Sequence, residues 1–191
     1  MPSLRQLTLS LLLSVLGMLS ITAQASDATW QALQEGGMVI LMRHSLAPGV
    51  GDPPEFERGR CETQRNLSGD GRAQAEAVGR EFRERDIPIA AIYSSQWCRA
   101  LESAELMDVG EVEAAPWLDS FFRERSARSE RTQSARERIL EWQGPGNLLL
   151  VTHQVNISAL VGSGLRSGDV IVVRPEGDEF PVVGRLSISA P

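Results

Sequence analysis

The chain offers two imidazoles as candidate reactive groups, His44 and His153. Arg43 and the apolar run Met38–Met42 come directly before His44, and the apolar run Leu148–Thr152 comes directly before His153. Short apolar runs of this kind are typical of parallel strands that are buried on both faces. Open α/β sheets bind ligands beyond the carboxyl ends of such strands, so we expect both imidazoles at the ligand-binding edge of a sheet.

An imidazole among arginines suits phosphoryl transfer. A phosphomonoester dianion repels anionic nucleophiles, whereas a neutral imidazole avoids that repulsion, and its ordinary pKa of about 6.5 leaves much of it unprotonated near neutrality. Histidine can also take the phosphoryl group covalently and so divide one displacement into two. Guanidinium groups bind phosphoryl oxygens through planar, paired hydrogen bonds and disfavour the imidazolium form. All 19 basic residues of this chain are arginines.

The elements that position these groups alternate between strand and helix, without internal repeats. This alternation predicts a three-layer α/β/α sandwich around a mainly parallel central sheet. The Gly/Pro-rich segment Pro48–Arg60 is predicted to be a long loop, and loops of this length are usually functional or mobile. The predicted strands are Met38–Met42, Ile89–Tyr93, Val112–Ala114, Leu148–Thr152 and a hairpin of Val170–Arg174 with Phe180–Ile188, and the predicted helices are Gly69–Arg85 (capped by Ser68), Gln96–Met107, Ser126–Trp142 and Asn156–Val161.

Four sequence blocks resemble the histidine phosphatase superfamily, which includes phosphoglycerate mutases and many acid phosphatases. They occur in the family's order and spacing and span about Met38 to Gly162. The resemblance implies a phosphoglycerate mutase-like fold and phosphomonoester hydrolysis through a phosphohistidine. The blocks are Leu41–His44, Asn66–Arg72, Ser94–Ala100 with Ser103–Ala104, and Val151–His153.

The resemblance assigns roles to residues in these blocks. His44 is the expected nucleophile, and Arg43 and Arg99 are expected to bind the phosphoryl oxygens and stabilise the transferring group. His153 is expected to add a hydrogen-bond donor on the other side.

The proton donor for the leaving group lies in no distinctive motif. Asp119 is the best positional match to the family's acid, with Glu113 and Glu124 as competitors and a helix cap as the structural alternative for Asp119. Ser45 also departs from the family, which most often has glycine there.

Arg65 and Asn66 are candidates for contact with the substrate, because they lie next to the loop expected to overhang the site. Capping of the following helix explains Asn66 nearly as well.

Residues 1–25 are predicted to be a signal peptide, which leaves residues 26–191 as the histidine phosphatase domain. Arg5 provides the positive start, Leu7–Leu19 is apolar, and Ala23–Ala25 fits a small-x-small cleavage site. The apolar run is too short for a comfortable membrane span. We therefore expect a periplasmic or secreted protein without a stable membrane span after cleavage, with an uncleaved anchor as the alternative.

In an oxidising compartment Cys61 and Cys98, the two cysteines, are expected to form a disulfide. Two buried thiols are one alternative. A zinc site formed by both cysteines with His44 and His153 is another, although the spacing typical of such sites is missing.

These expectations combine into a metal-independent phosphomonoesterase of the cell envelope that needs no cofactor. Its partner would be a phosphorylated small molecule or envelope component. A formal net charge of -6 does not favour nucleic-acid binding. The alternative is a noncatalytic phosphate- or phosphosugar-binding protein with the same fold.

Overall fold

The computed structural model describes residues 27–188, so the predicted signal peptide lies outside the described residues. Every strand and helix predicted above is present, with ends that differ by at most two residues. None of the helices within residues 27–188 is long and apolar enough to cross a membrane. The helices are α1 (27–35), α2 (Gly69–Glu84), α3 (Cys98–Met107), α4 (Arg128–Leu140) and α5 (Gln154–Val161), and the strands are β1 (Val39–Arg43), β2 (Ile89–Ser94), β3 (Val112–Ala114), β4 (Asn147–Thr152), β5 (Val170–Val173) and β6 (Val182–Leu186).

The strands form one six-stranded sheet in the order β3-β2-β4-β1-β5-β6. Strands β1 to β4 are parallel to one another, whereas β5 and β6 form the predicted antiparallel hairpin. In the centre, Arg43 of β1 lies opposite Thr152 of β4. Because His44 and His153 each follow one of these residues, the parallel register brings both histidines to the same edge of the sheet.

The hydrophobic core has two layers, one on each face of the sheet. Ile40 and Met42 of β1 belong to a cluster with buried residues of α1, α2 and α3. Val39 and Leu41 belong to a second cluster with residues of α4 and α5. All four side chains are fully buried, and burial of each contributes about 1.5–3 kcal/mol. The mainly parallel three-layer sandwich predicted from the sequence is therefore confirmed.

Helix α2 begins as predicted, with the Ser68 hydroxyl accepting a hydrogen bond from the Gly71 amide at 3.0 Å. Farther along, Gly79 faces the backbone of Met107 at the end of α3, where any added Cβ would clash. The absence of a side chain at Gly79 lets α2 lie close to α3, the helix that carries Arg99.

The predicted disulfide between Cys61 and Cys98 is present, with Cα atoms 5.6 Å apart. Cys98 is the first residue of α3, so the bond connects the loop that follows β1 to the helix start beside Arg99. Because the two sulfur atoms are bonded to each other, the alternative zinc site loses both thiolate ligands.

Replacement of both cysteines by serine is expected to lower the free energy of unfolding by about 3–4 kcal/mol. The cross-link closes 37 residues, and its loss frees that segment in the unfolded chain. Denaturant titration with and without a reductant measures the effect. Reductant should destabilise the wild type but leave the double variant unchanged; a double variant as stable as the oxidised wild type would contradict the prediction.

Candidate active site

A cavity of about 360 Å³ opens at the carboxyl edge of the central strands. Strands β1 and β4 end at its floor, and the segment between β2 and α3 forms one wall. The structure brings six of the residues named from the sequence to this cavity, which are Arg43, His44, Arg65, Arg99, Glu124 and His153.

The His44 ring is 2 % exposed and held through both nitrogens. Its Nδ1 lies 2.8 Å from the Ser45 carbonyl oxygen, while Nε2 accepts a hydrogen bond from Arg99 Nε at 3.3 Å. A carbonyl oxygen can only accept, so Nδ1 carries the proton and Nε2 the lone pair. Burial, then the positive charge of Arg99, lowers the pKa of His44 to about 3. The imidazole is therefore neutral near pH 7, and its Nε2 carries the free lone pair.

His153 lies beside His44, with the two ring centroids 5.4 Å apart. Its Nε2 is 2.8 Å from the Ser95 hydroxyl, which in turn lies 3.2 Å from Asp119 Oδ1. Burial, followed by the proximity of His44, lowers the pKa of His153 well below its ordinary value. The Asp119–Ser95–His153 chain of polar contacts fixes the orientation of the second imidazole. Ser95 lies within one of the sequence motifs, but the sequence predicted no role for it.

Three guanidinium groups concentrate positive charge around Nε2 of His44. Arg43 donates from Nη1 to the Leu165 carbonyl at 2.9 Å, and its buried Nε has no partner among residues 27–188. Burial and then Arg99 lower the pKa of Arg43, and the same two causes lower that of Arg65 to about 10. Packing several cations together is unfavourable without an anion, so this arrangement favours binding of a dianion such as a phosphate group.

Asp52, which sequence reasoning did not single out, already pairs with one of these cations. Its Oδ1 lies 2.6 Å from Nη1 of Arg99, and its Oδ2 lies 3.3 Å from Nη2. Although burial opposes ionisation of Asp52, the hydrogen bond and charge of Arg99 outweigh it and lower the pKa of the carboxyl. The sequence feature that could have pointed to Asp52 is its position in Pro48–Arg60, the long loop that was predicted to be functional or mobile.

Asp119, the predicted proton donor, is fully buried and does not line the cavity. Its Oδ1 accepts a hydrogen bond from the Gln96 amide at 2.8 Å, whereas Oδ2 has no hydrogen-bond partner within residues 27–188. Arg58 Nε approaches Oδ2 to 3.5 Å. Of the competitors, Glu124 lines the cavity and pairs with Arg131, while Glu113 is exposed on β3 and lies outside the lining. The role of Asp119 as proton donor stays a prediction.

Asp119→Asn is expected to unfold at a higher temperature than the wild type at about pH 8. Burial raises the pKa of Asp119 above 3.8, so the folded state binds this proton more tightly than the unfolded state. Wild-type stability must then fall as pH rises through the interval between those two pKa values, whereas the amide does not titrate. Thermal denaturation across pH should show the gain shrinking towards about pH 4. A variant less stable than the wild type at the alkaline end would disprove this reading.

The two candidates for substrate contact occupy different places. Arg65 lines the cavity and donates from Nε to the Gly51 carbonyl at 2.7 Å. Asn66 lies outside the lining, and its amide donates to the Cys61 carbonyl at 2.6 Å, which stabilises the loop. Ser45 is fully buried outside the cavity lining, with its backbone amide donating to Ser103 Oγ at 2.9 Å.

An aromatic wall forms the cavity mouth, which the sequence pattern did not predict. Phe56 stacks on Trp97 with ring centroids 5.0 Å apart, and the Arg58 guanidinium lies 5.3 Å from the Trp97 ring. Phe122, 49 % exposed, also lines the mouth. The cavity thus joins a cationic floor to an apolar entrance.

Comparison with known proteins gives a family and a fold. The family model described as "Histidine phosphatase superfamily (branch 1)" matches residues 39–129, which include His44, Arg99 and Asp119 but end before His153. No curated protein matches the chain.

Several solved structures share the fold at low sequence identity. An alpha-ribazole phosphatase from Shigella flexneri is 17 % identical with a TM-score of 0.58, and the match covers 81 % of this chain and 96 % of that one. A phosphoserine phosphatase from Entamoeba histolytica, in complex with 3-phosphoglyceric acid, is 14 % identical with a TM-score of 0.56, covering 78 % and 96 %. The protein histidine phosphatase SixA, complexed with tungstate, is 14 % identical with a TM-score of 0.53, covering 78 % and 96 %.

The family match, the ordered motifs and the shared fold agree with the geometry of the two histidines and their arginines. Residues 39–129 of the chain thus match the histidine phosphatase superfamily, and the chain shares the fold of the solved phosphatases named above.

Proposed function

We propose that this protein is a phosphomonoesterase that works through a phosphohistidine on His44. The observation that carries the proposal is the unprotonated Nε2 of His44, held in a cavity with the guanidinium groups of Arg43, Arg65 and Arg99. A neutral nucleophile among cations is what attack on a phosphate dianion requires.

The reaction divides into two displacements at phosphorus. In the first, Nε2 of His44 forms a bond to phosphorus while the bond to the alcohol oxygen breaks, and a carboxyl group protonates that oxygen. In the second, a water molecule attacks the phosphohistidine, and the electron pair of the P–N bond returns to Nε2. Arg43 and Arg99 neutralise the phosphoryl oxygens in both transition states, with His153 on the other side.

Metal independence and location in the cell envelope are further parts of this proposal. The three guanidinium groups supply the positive charge that Mg²⁺ supplies in other phosphoryl-transfer enzymes. The disulfide and the predicted signal peptide support an exported protein, since disulfides persist in oxidising compartments.

The aromatic mouth supports a substrate whose alcohol portion is apolar or aromatic. Phe56, Trp97 and Phe122 line the same cavity as the arginines, so they offer apolar contact surface to the group attached to the phosphate. Small metabolites and envelope components with such groups both fit this chemistry.

Hydrolysis of an aryl phosphate by the purified protein, in excess chelator, tests the proposal. We expect turnover to persist with chelator present. Loss of turnover on chelation, restored by a divalent cation, would contradict metal independence. A folded protein that binds inorganic phosphate yet hydrolyses no ester would favour the noncatalytic binding protein instead.

A further inference from the structure

The cavity contains a carboxylate that contacts the phosphate-binding groups directly. Among residues 27–188, its lining includes two acidic residues, Asp52 and Glu124. Glu124 pairs with Arg131 at 2.9 Å and its side chain is 58 % exposed, so it belongs to the rim. Asp52 lies deeper, with its side chain 9 % exposed against an Arg99 side chain that is 4 % exposed.

Four hydrogen-bond donors hold the Asp52 carboxylate. Two are the Nη atoms of Arg99, which meet the two carboxylate oxygens at 2.6 and 3.3 Å. Trp97 Nε1 donates to Oδ2 at 3.0 Å, and the Arg65 amide donates to Oδ1 at 3.3 Å. Paired oxygens on one guanidinium are also the geometry of a bound phosphate. Asp52 therefore occupies the donors that a phosphoryl group would use.

A phosphate that binds Arg99 must displace the Asp52 carboxylate from it. The indole of Trp97 and the Arg65 amide belong to the cavity wall and keep Asp52 at the site after displacement. The freed carboxylate then faces a phosphate dianion instead of a guanidinium, and this exchange of partners favours its protonated form, with the proton taken up from solvent.

We propose that Asp52 is the general acid and base of the reaction. Substrate binding prepares Asp52 for this role, because the phosphate takes its place on Arg99 and its carboxyl becomes protonated. This inference rests on the proposed function. The Asp52 carboxyl gives its proton to the leaving oxygen as the P–O bond breaks, which yields the free alcohol and a carboxylate. In the second displacement that carboxylate takes a proton from the attacking water, and inorganic phosphate and neutral His44 result. Asp119 is then a positioning residue, which acts through Ser95 on His153.

Asp52→Asn tests the proposal with two substrates that need protonation to different degrees. An alkyl phosphate has a basic leaving oxygen, whereas 4-nitrophenyl phosphate leaves as a stable phenolate. We expect kcat/KM to fall about 100-fold or more for the alkyl ester and only a few-fold for the nitrophenyl ester. Inorganic phosphate should inhibit the variant more strongly than the wild type, because a neutral amide competes less well for Arg99.

Two further variants make the result specific to the Asp52 carboxyl. Glu55→Gln removes a negative charge from an exposed position of the same loop outside the cavity lining, so both esters should be hydrolysed as by the wild type. Asp52→Glu retains a carboxyl group and should recover part of the alkyl phosphatase activity. Thermal denaturation checks that each variant is folded.

An equal loss with both esters in Asp52→Asn, or no loss with the alkyl ester, would overturn the proposal while leaving the phosphatase function intact. If kcat/KM instead falls more for the alkyl ester than for the nitrophenyl ester in Asp119→Asn, then Asp119 is the general acid. Failure of the wild type to hydrolyse either ester would refute the phosphatase function itself, and the role of Asp52 with it.

Discussion

Replacing His44 with alanine should lower turnover of an aryl phosphate by roughly three orders of magnitude or more. The variant lacks the Nε2 lone pair, and no other imidazole lies in the same position relative to Arg99. Water would have to attack the phosphate directly, assisted only by the arginines. Thermal denaturation checks that the variant is folded, so that the loss can be assigned to the missing imidazole.

The His44→Ala variant should also fail to form the covalent phosphoryl label that the wild type carries. Wild-type protein quenched during turnover should carry an acid-labile, alkali-stable phosphoryl group, as expected for a phosphoramidate. His153→Ala should still form this label, although more slowly, because His44 is intact in that variant. Substantial turnover by His44→Ala, or a label that survives in it, would assign the nucleophile elsewhere.

Arg99→Lys should reduce kcat/KM by about 10²–10³-fold despite keeping a positive charge. Arg99 uses Nε to contact His44 Nε2 and both Nη atoms for a paired interaction, now with Asp52 and in the reaction with phosphate. A lysine ammonium is a single point donor and cannot make these contacts together. The loss should appear in kcat as well as KM, since the transferring phosphoryl group is held most tightly in the transition state.

Steady-state kinetics with Arg72→Lys as the matched control measures this effect. Arg72 forms an ion pair with Glu102 on the surface, outside the cavity lining, so the same substitution there should leave both kinetic parameters unchanged. If Arg99→Lys has the kinetic parameters of the wild type, a positive charge is sufficient at this position and the planar guanidinium group is not needed.

Two links connect the loop after β1 to α3, namely the disulfide and the ion pair of Asp52. Cys61–Cys98 joins them covalently, and Asp52–Arg99 joins them through an ion pair that a phosphate group would compete for. The covalent tie keeps the loop near the cavity when the ion pair opens. Loss of the disulfide should therefore weaken the contribution of the loop and its Asp52 to the reaction, while His44, Arg43 and Arg99 stay in place.

Much of the fold followed from local patterns. The apolar runs of β1 and β4 predicted central strands because short runs of this kind are typical of strands buried on both faces. Ser68 predicted the start of α2 through its capping hydroxyl. The placement of both histidines at one edge followed from the parallel arrangement. Cys61 and Cys98 could be paired because the chain contains two cysteines.

The identity of the carboxylate at the cavity could not be predicted in the same way. Asp119 stood in the expected order along the chain, yet backbone geometry turns its side chain towards the Gln96 amide and Ser95. Asp52 and Arg99 are 47 positions apart, and no local pattern connects them.

The sequence by itself determined the order of the elements, the two histidines at strand ends and the arginine-rich chemistry of the site, because each depends on residue type and short-range spacing. Only the tertiary structure decided which acid pairs with Arg99 in the cavity. The path of the loop after β1 depends on contacts between distant segments, namely the disulfide, the Trp97 indole and the Arg65 amide. Such contacts exist only once the sheet has brought those segments together.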